Sequence, residues 1–125
     1  MQVVSVDSWW DALVRDRFEA ILELVLCAMA DDYESVEIIL KTINEWDADR
    51  DPGSWAARSA APVSRSEVIK ALRELTQEGY AQTYVLAIRE PHATPIEFLE
   101  TEVDSLWFYA TPKGINAVRQ FLGNE

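Results

Sequence analysis

Ser64-Arg-Ser-Glu-Val-Ile-Lys-Ala-Leu-Arg-Glu-Leu-Thr-Gln-Glu-Gly-Tyr80 is the stretch on which the fold turns. Its opening Ser-x-x-Glu is a capping box: the Ser64 hydroxyl accepts from the Glu67 amide, and the Glu67 carboxylate reaches back to the Ser64 amide. Val68, Ala71, Leu72 and Leu75 then recur at the three-and-four spacing that lines one side of a helix. Gly79 closes that helix, because glycine enters the left-handed cap conformation without a Cβ penalty. Beyond it the period drops from about four to two, and Tyr80–Ile88, rich in Tyr, Val, Thr and Ile, reads as a strand.

Upstream, residues 12–30 place Phe18, Ile21, Leu22, Val25, Leu26 and Met29 on one helical stripe. Asp11, Asp16 and Glu19 lie near its start, where the helix dipole favours acids. Asp31-Asp32 interrupts the pattern, and a second helix is predicted from about Tyr33 to Trp46 with Val36, Ile39, Leu40 and Ile43 on one face. Residues 1–11 are left as an N-terminal extension. Residues 47–63, with Pro52-Gly53, read as a long loop.

Downstream, residues 89–104 contain Pro91, Pro95 and the acids Glu90, Glu97, Glu100, Glu102 and Asp104, and read as a connection. Leu106–Thr111 is a second strand; Pro112 stands where a helix can begin, and Ile115, Val118 and Leu122 line a short last helix. The 125 residues fit one domain, α+β and mostly α: three helices, a hairpin with a long acidic tip, and a helix.

Two motifs in this order carry a resemblance. The 64–80 stretch resembles the recognition helix and turn of bacterial winged-helix regulators, where a pattern like aLxxLxxeGyv runs into the first wing strand. Leu106-Trp-Phe-Tyr-Ala-Thr-Pro-Lys-Gly114 is similar to the strand-to-helix junction (yxLTxkG) of PadR-like and MarR-like families. The resemblance spans roughly residues 14–122. It implies a winged helix with a three-helix core, a two-stranded wing whose tip is 89–104, and a short C-terminal helix. It also implies a homodimeric, DNA-binding transcription regulator of the bacterial cytoplasm.

Under that reading Arg65, Ser66, Ile69, Lys70 and Arg73, at helical spacing opposite Leu72 and Leu75, read or clamp the major groove, and Lys113 touches phosphate. The plainer reading is a solvated helix face with Glu67–Lys70 and Lys70–Glu74 pairs worth a few tenths of a kcal/mol each.

Charge argues against the first. The net charge is −11, a field that repels polyphosphate. Residues 1–55 carry 13 acids against 4 bases and residues 90–125 carry 6 against 2, so the only basic stretch, 56–89 with 5 bases against 3 acids, sits in an acidic chain. The alternative function is therefore an acidic winged-helix protein-interaction module without DNA binding, its partner a basic protein. Trp9 and Trp10, in the extension, are candidate anchors for such a partner or for a dimer.

Catalytic and metal chemistry are poorly supplied, so no enzyme, cofactor or metal is expected. Asp47, Asp49 and Asp51 alternate like the start of a calcium loop, but the sixth and twelfth positions are Pro52 and Arg58 instead of Gly and Glu. His92 is the only histidine. The single Cys27 lies among Leu24, Val25, Leu26 and Met29, the setting of an inert buried thiol. One cysteine, no signal-peptide pattern at the N-terminus and no run long enough to span a bilayer point to a cytoplasmic protein with no membrane contact.

Overall fold

A computed structural model describes the backbone of residues 6–45 and 62–123, and the side chains of 17–45 and 62–120. The chain is α+β and mostly helical. Helix α1 spans Val6–Ala28, α2 Val36–Glu45 and α3 Arg65–Gln77. Strand β1 covers Ala81–Leu86 and β2 Ala93–Ile96; a 3-10 turn at Glu100–Ser105 precedes β3, Trp107–Ala110, and α4 runs Pro112–Gly123. The three strands form one antiparallel sheet in the order β2-β1-β3.

The helical stripes meet in one core. Leu24 and Val25 of α1, Met29 in the turn after it, Ile39 and Ile43 of α2, and Val68 and Leu72 of α3 are fully buried, and Phe108 of β3 closes the cluster. Burying each such side chain stabilises the fold by about 1.5–3 kcal/mol. Asn44 of α2 ties the start of α3 to this core: its Oδ1 accepts from the Val63 amide at 2.7 Å and its Nδ2 donates to the Val63 carbonyl at 3.0 Å.

Both ends of α3 follow the predicted chemistry. The Glu67 amide donates to Ser64 Oγ at 3.2 Å and the Ser64 amide donates to Glu67 Oε1 at 3.0 Å. Gly79 adopts φ +80°, the Tyr80 amide donates to the Leu75 carbonyl at 2.9 Å, and the Gly79 amide donates to the Thr76 carbonyl at 3.3 Å. That pair of bonds is a Schellman closure.

Three boundaries differ from the sequence reading. Helix α1 begins at Val6, so Trp9 and Trp10 lie in its first turns and not in an extension before it. Their side chains fall outside the described residues, as do Trp46, Trp55 and the Asp47–Asp51 run. Helix α2 begins at Val36, three residues later than expected from Tyr33, because the chain is used otherwise first. Glu34 and Phe108 exchange both backbone hydrogen bonds at 2.9 Å, and Ser35 Oγ then accepts from the Ile38 amide at 3.3 Å as the cap.

The third difference is largest. The sheet has three strands where two were expected, because 89–104 is structured and not one long tip. The chain turns tightly over 87–92, and β2 returns along β1 with Thr83 opposite Ile96 and Leu86 opposite Ala93. Pro95 hides β2 in the sequence, since proline cannot donate to a ladder; β2 tolerates it as an edge strand. The 3-10 turn then buries Val103, and Leu106 follows it into the core.

Candidate functional site

The outer face of α3 was the sequence candidate, and its residues all have partners within the chain. The side chain of Arg65 pairs with Asp104 of the 3-10 turn, and its Nε lies 3.6 Å from Glu37 of α2. Arg73 pairs with Glu100 at the other end of the same turn. Between them Ile69 is only 9% exposed, so it belongs to the core and not to a reading surface. It stands three positions before Leu72, at the margin of the buried stripe, and lines a depression whose far wall is Thr101, Val103 and Asp104 of the 3-10 turn.

The remaining candidates are occupied locally. Ser66 Oγ lies 3.2 Å from Ser64 Oγ at the cap. Lys70 Nζ sits 4.8 Å from the centre of the Phe18 ring, a cation–π contact across to α1. Lys113 is not on this face at all: it donates to the Glu78 carbonyl at 2.8 Å and lies 4.3 Å from the Tyr80 ring centre. There it complements the negative end of the α3 dipole. Arg17 of α1 reaches Glu67 at 3.0 Å. Burial pushes the Glu67 carboxyl up, but hydrogen bonds from Arg17 and Ser64 outweigh it and hold the group below its ordinary value.

Each exposed pair on this face contributes little to stability, on the order of 0–1 kcal/mol. Arg65 and Arg73 thus both face carboxylates of their own chain.

Sequence reasoning missed a second surface. In the sheet, Thr83, Ile96 and Phe108 point toward the helices, while Tyr84, Trp107 and Tyr109 share the opposite face. Tyr33 joins them edge-on, its ring centre 5.0 Å from that of Tyr84 and 4.9 Å from that of Tyr109. All four aromatics are half-buried. Alternation along β3 puts Trp107 and Tyr109 on one face, whereas nothing local moves Tyr33 from the expected second helix to the sheet.

Chemistry of other kinds is thinly represented. Among the described residues no three His, Cys, Asp or Glu side chains converge to hold a metal ion, and none of the described helices is long and apolar enough to cross a membrane. Cys27 is buried, and that burial, helped by Glu23, pushes its thiol up to about 12. His92 Nε2 lies 2.9 Å from Glu90 on the exposed hairpin tip. No family model, no curated protein and no solved structure matches the chain.

Proposed function

We propose that this chain is a non-catalytic, winged-helix-like module that binds a basic partner protein and not DNA. The single observation that carries the reading is the 3-10 turn lying along α3, with Asp104 on Arg65 and Glu100 on Arg73. A DNA reader needs those arginines free to reach base edges and phosphates. Here a polyanion would have to displace two carboxylates first, against a net charge of −11. The winged-helix part of the proposal is supported by the element order among the described residues, three helices followed by a three-stranded antiparallel sheet and a further helix. The homodimer implied by the resemblance and the cytoplasmic setting expected from the cysteine and N-terminal pattern belong to the same proposal; light scattering of the full chain reads the first.

One observation favours the regulator as a second reading. Arg65, Lys70 and Arg73 do share the outer side of a well-capped helix, and only exposed ion pairs hold the 3-10 turn's acids to it. Fluorescence anisotropy of labelled random-sequence duplex DNA, at low and rising salt, separates the two. The expected result is no saturable binding by the wild type or by the Glu100→Gln/Asp104→Asn variant. Steeply salt-dependent binding by the wild type establishes the regulator and overturns the module. Binding by the variant alone makes the 3-10 turn a cover over a DNA-binding face.

A further inference from the structure

We propose that the aromatic face of the sheet, bounded by Asp31 and Asp32 on one side and Glu97 on the other, docks an arginine- and lysine-rich segment of the partner protein. This rests on the module reading and adds where the partner binds and by what chemistry.

The pairing register lays the surface out. Tyr84 is opposite Trp107 and Gln82 opposite Tyr109, so these side chains share one face. Thr83 is opposite Ile96, the last residue of β2, and Glu97 follows it at that edge, where it lines a depression with Gln82 and, on the helix side, Arg73. At the other edge the Glu34–Phe108 bridge brings Tyr33 against Tyr109 and leaves Asp31 and Asp32 exposed next to it. An aromatic strip therefore runs between carboxylates at both edges of the sheet.

Charge complementarity selects the occupant. The segments that build the face, 31–35, 81–86, 93–97 and 105–110, contain Asp31, Asp32, Glu34 and Glu97 and not one Lys or Arg. Asp31, Asp32 and Glu97 have no ion-pair partner among the described residues, unlike the acids that oppose Arg65 and Arg73. Half-buried Tyr and Trp rings beside unpaired carboxylates are what a guanidinium or ammonium uses: the ring stacks on the cation and the carboxylate pairs with it. Tyrosine and tryptophan also lose little rotamer freedom on binding, which suits them to contact surfaces.

The test uses the full chain and labelled nona-arginine as the probe. Amide shifts of the 15N-labelled wild type are followed during titration, and affinity is measured by anisotropy for wild type and Tyr84→Ala, which have the same net charge. The proposal expects perturbations at residues 33, 84, 107 and 109, and an affinity loss of roughly tenfold in the variant, the scale of one or two cation–π contacts. Wild-type shift mapping does not depend on how the variant folds. Perturbations spread over the acidic surface, with equal affinity for both proteins, overturn the docking face and leave the module reading standing. No saturable peptide binding at low salt also overturns it; the module reading falls with it only if duplex DNA is bound. Shifts at the same residues on simple concentration of the protein would make the occupant a second copy of the chain, which overturns the basic-segment assignment.

Discussion

The backbone of Gly114 lies against the carbonyl of Tyr80 so closely that a Cβ would overlap it, and the same Cβ would come within 3.1 Å of Leu26 Cδ1. This is where α4 meets the end of α3. Thr111 holds the junction: its amide donates to the Tyr80 carbonyl at 3.0 Å, and its hydroxyl donates to the Gly79 carbonyl at 2.6 Å. Gly114→Ala must push the backbone apart, since neither carbonyl nor helix can rotate away. A loss of about 1–3 kcal/mol is expected, read as a fall of several degrees in Tm by circular dichroism. An unchanged Tm would show that the two helices do not approach this closely.

The capping box makes a pH-dependent contribution. Glu67 is held below its ordinary value of 4.5 in the folded chain, so its stabilisation is present above that pH and disappears as pH falls through the lowered folded value. Urea unfolding of wild type and Glu67→Gln should therefore differ most at pH 7 and converge toward pH 3. Ser64→Ala removes the other half of the box and should cost about 1 kcal/mol at pH 7. Equal pH profiles for wild type and Glu67→Gln would sink the assignment.

Cys27 should be silent to thiol reagents in the folded protein. Burial first, and Glu23 second, raise its thiol from 9.0 to about 12, so almost no thiolate exists at pH 8. Reaction with Ellman's reagent is expected only as fast as the chain opens, with immediate stoichiometric reaction in urea. Below pH 9 the thiol is neutral in both folded and unfolded chains, and stability falls as pH rises from 9 toward 12, where only the unfolded chain ionises freely. Rapid reaction of the native chain at pH 8 would contradict the buried placement.

The parts of the fold that were legible in the sequence are those set by neighbours along the chain. The Ser64–Glu67 box, the Gly79 closure, the Pro112 start of α4 and the alternation of Trp107, Phe108 and Tyr109 each depend on residues a few positions apart. Strand β2 was not legible. Ala-Thr-Pro-Ile has little strand character, and it is held by pairing with β1, in a place at the sheet edge where the missing proline amide costs nothing.

The candidate site was legible only as a set of residue types. Helical spacing put Arg65, Ile69, Lys70 and Arg73 on one side of α3; the structure leaves Arg65, Lys70 and Arg73 exposed there and buries Ile69 with Val68 and Leu72. That spacing could not show that Ile69 is covered, or that Arg73 meets a residue 27 positions away and Arg65 one 39 positions away.

The buried helix stripes, the cap and closure of α3 and the start of α4 were thus determined by the sequence alone, because backbone hydrogen bonding and side-chain period act over one or two turns. Which surfaces are left open was decided only in the tertiary structure. The 3-10 turn's acids settle on α3, and Tyr33 joins the sheet through the Glu34–Phe108 bridge. Both outcomes rest on contacts between distant segments, whose position follows from how the buried stripes pack together.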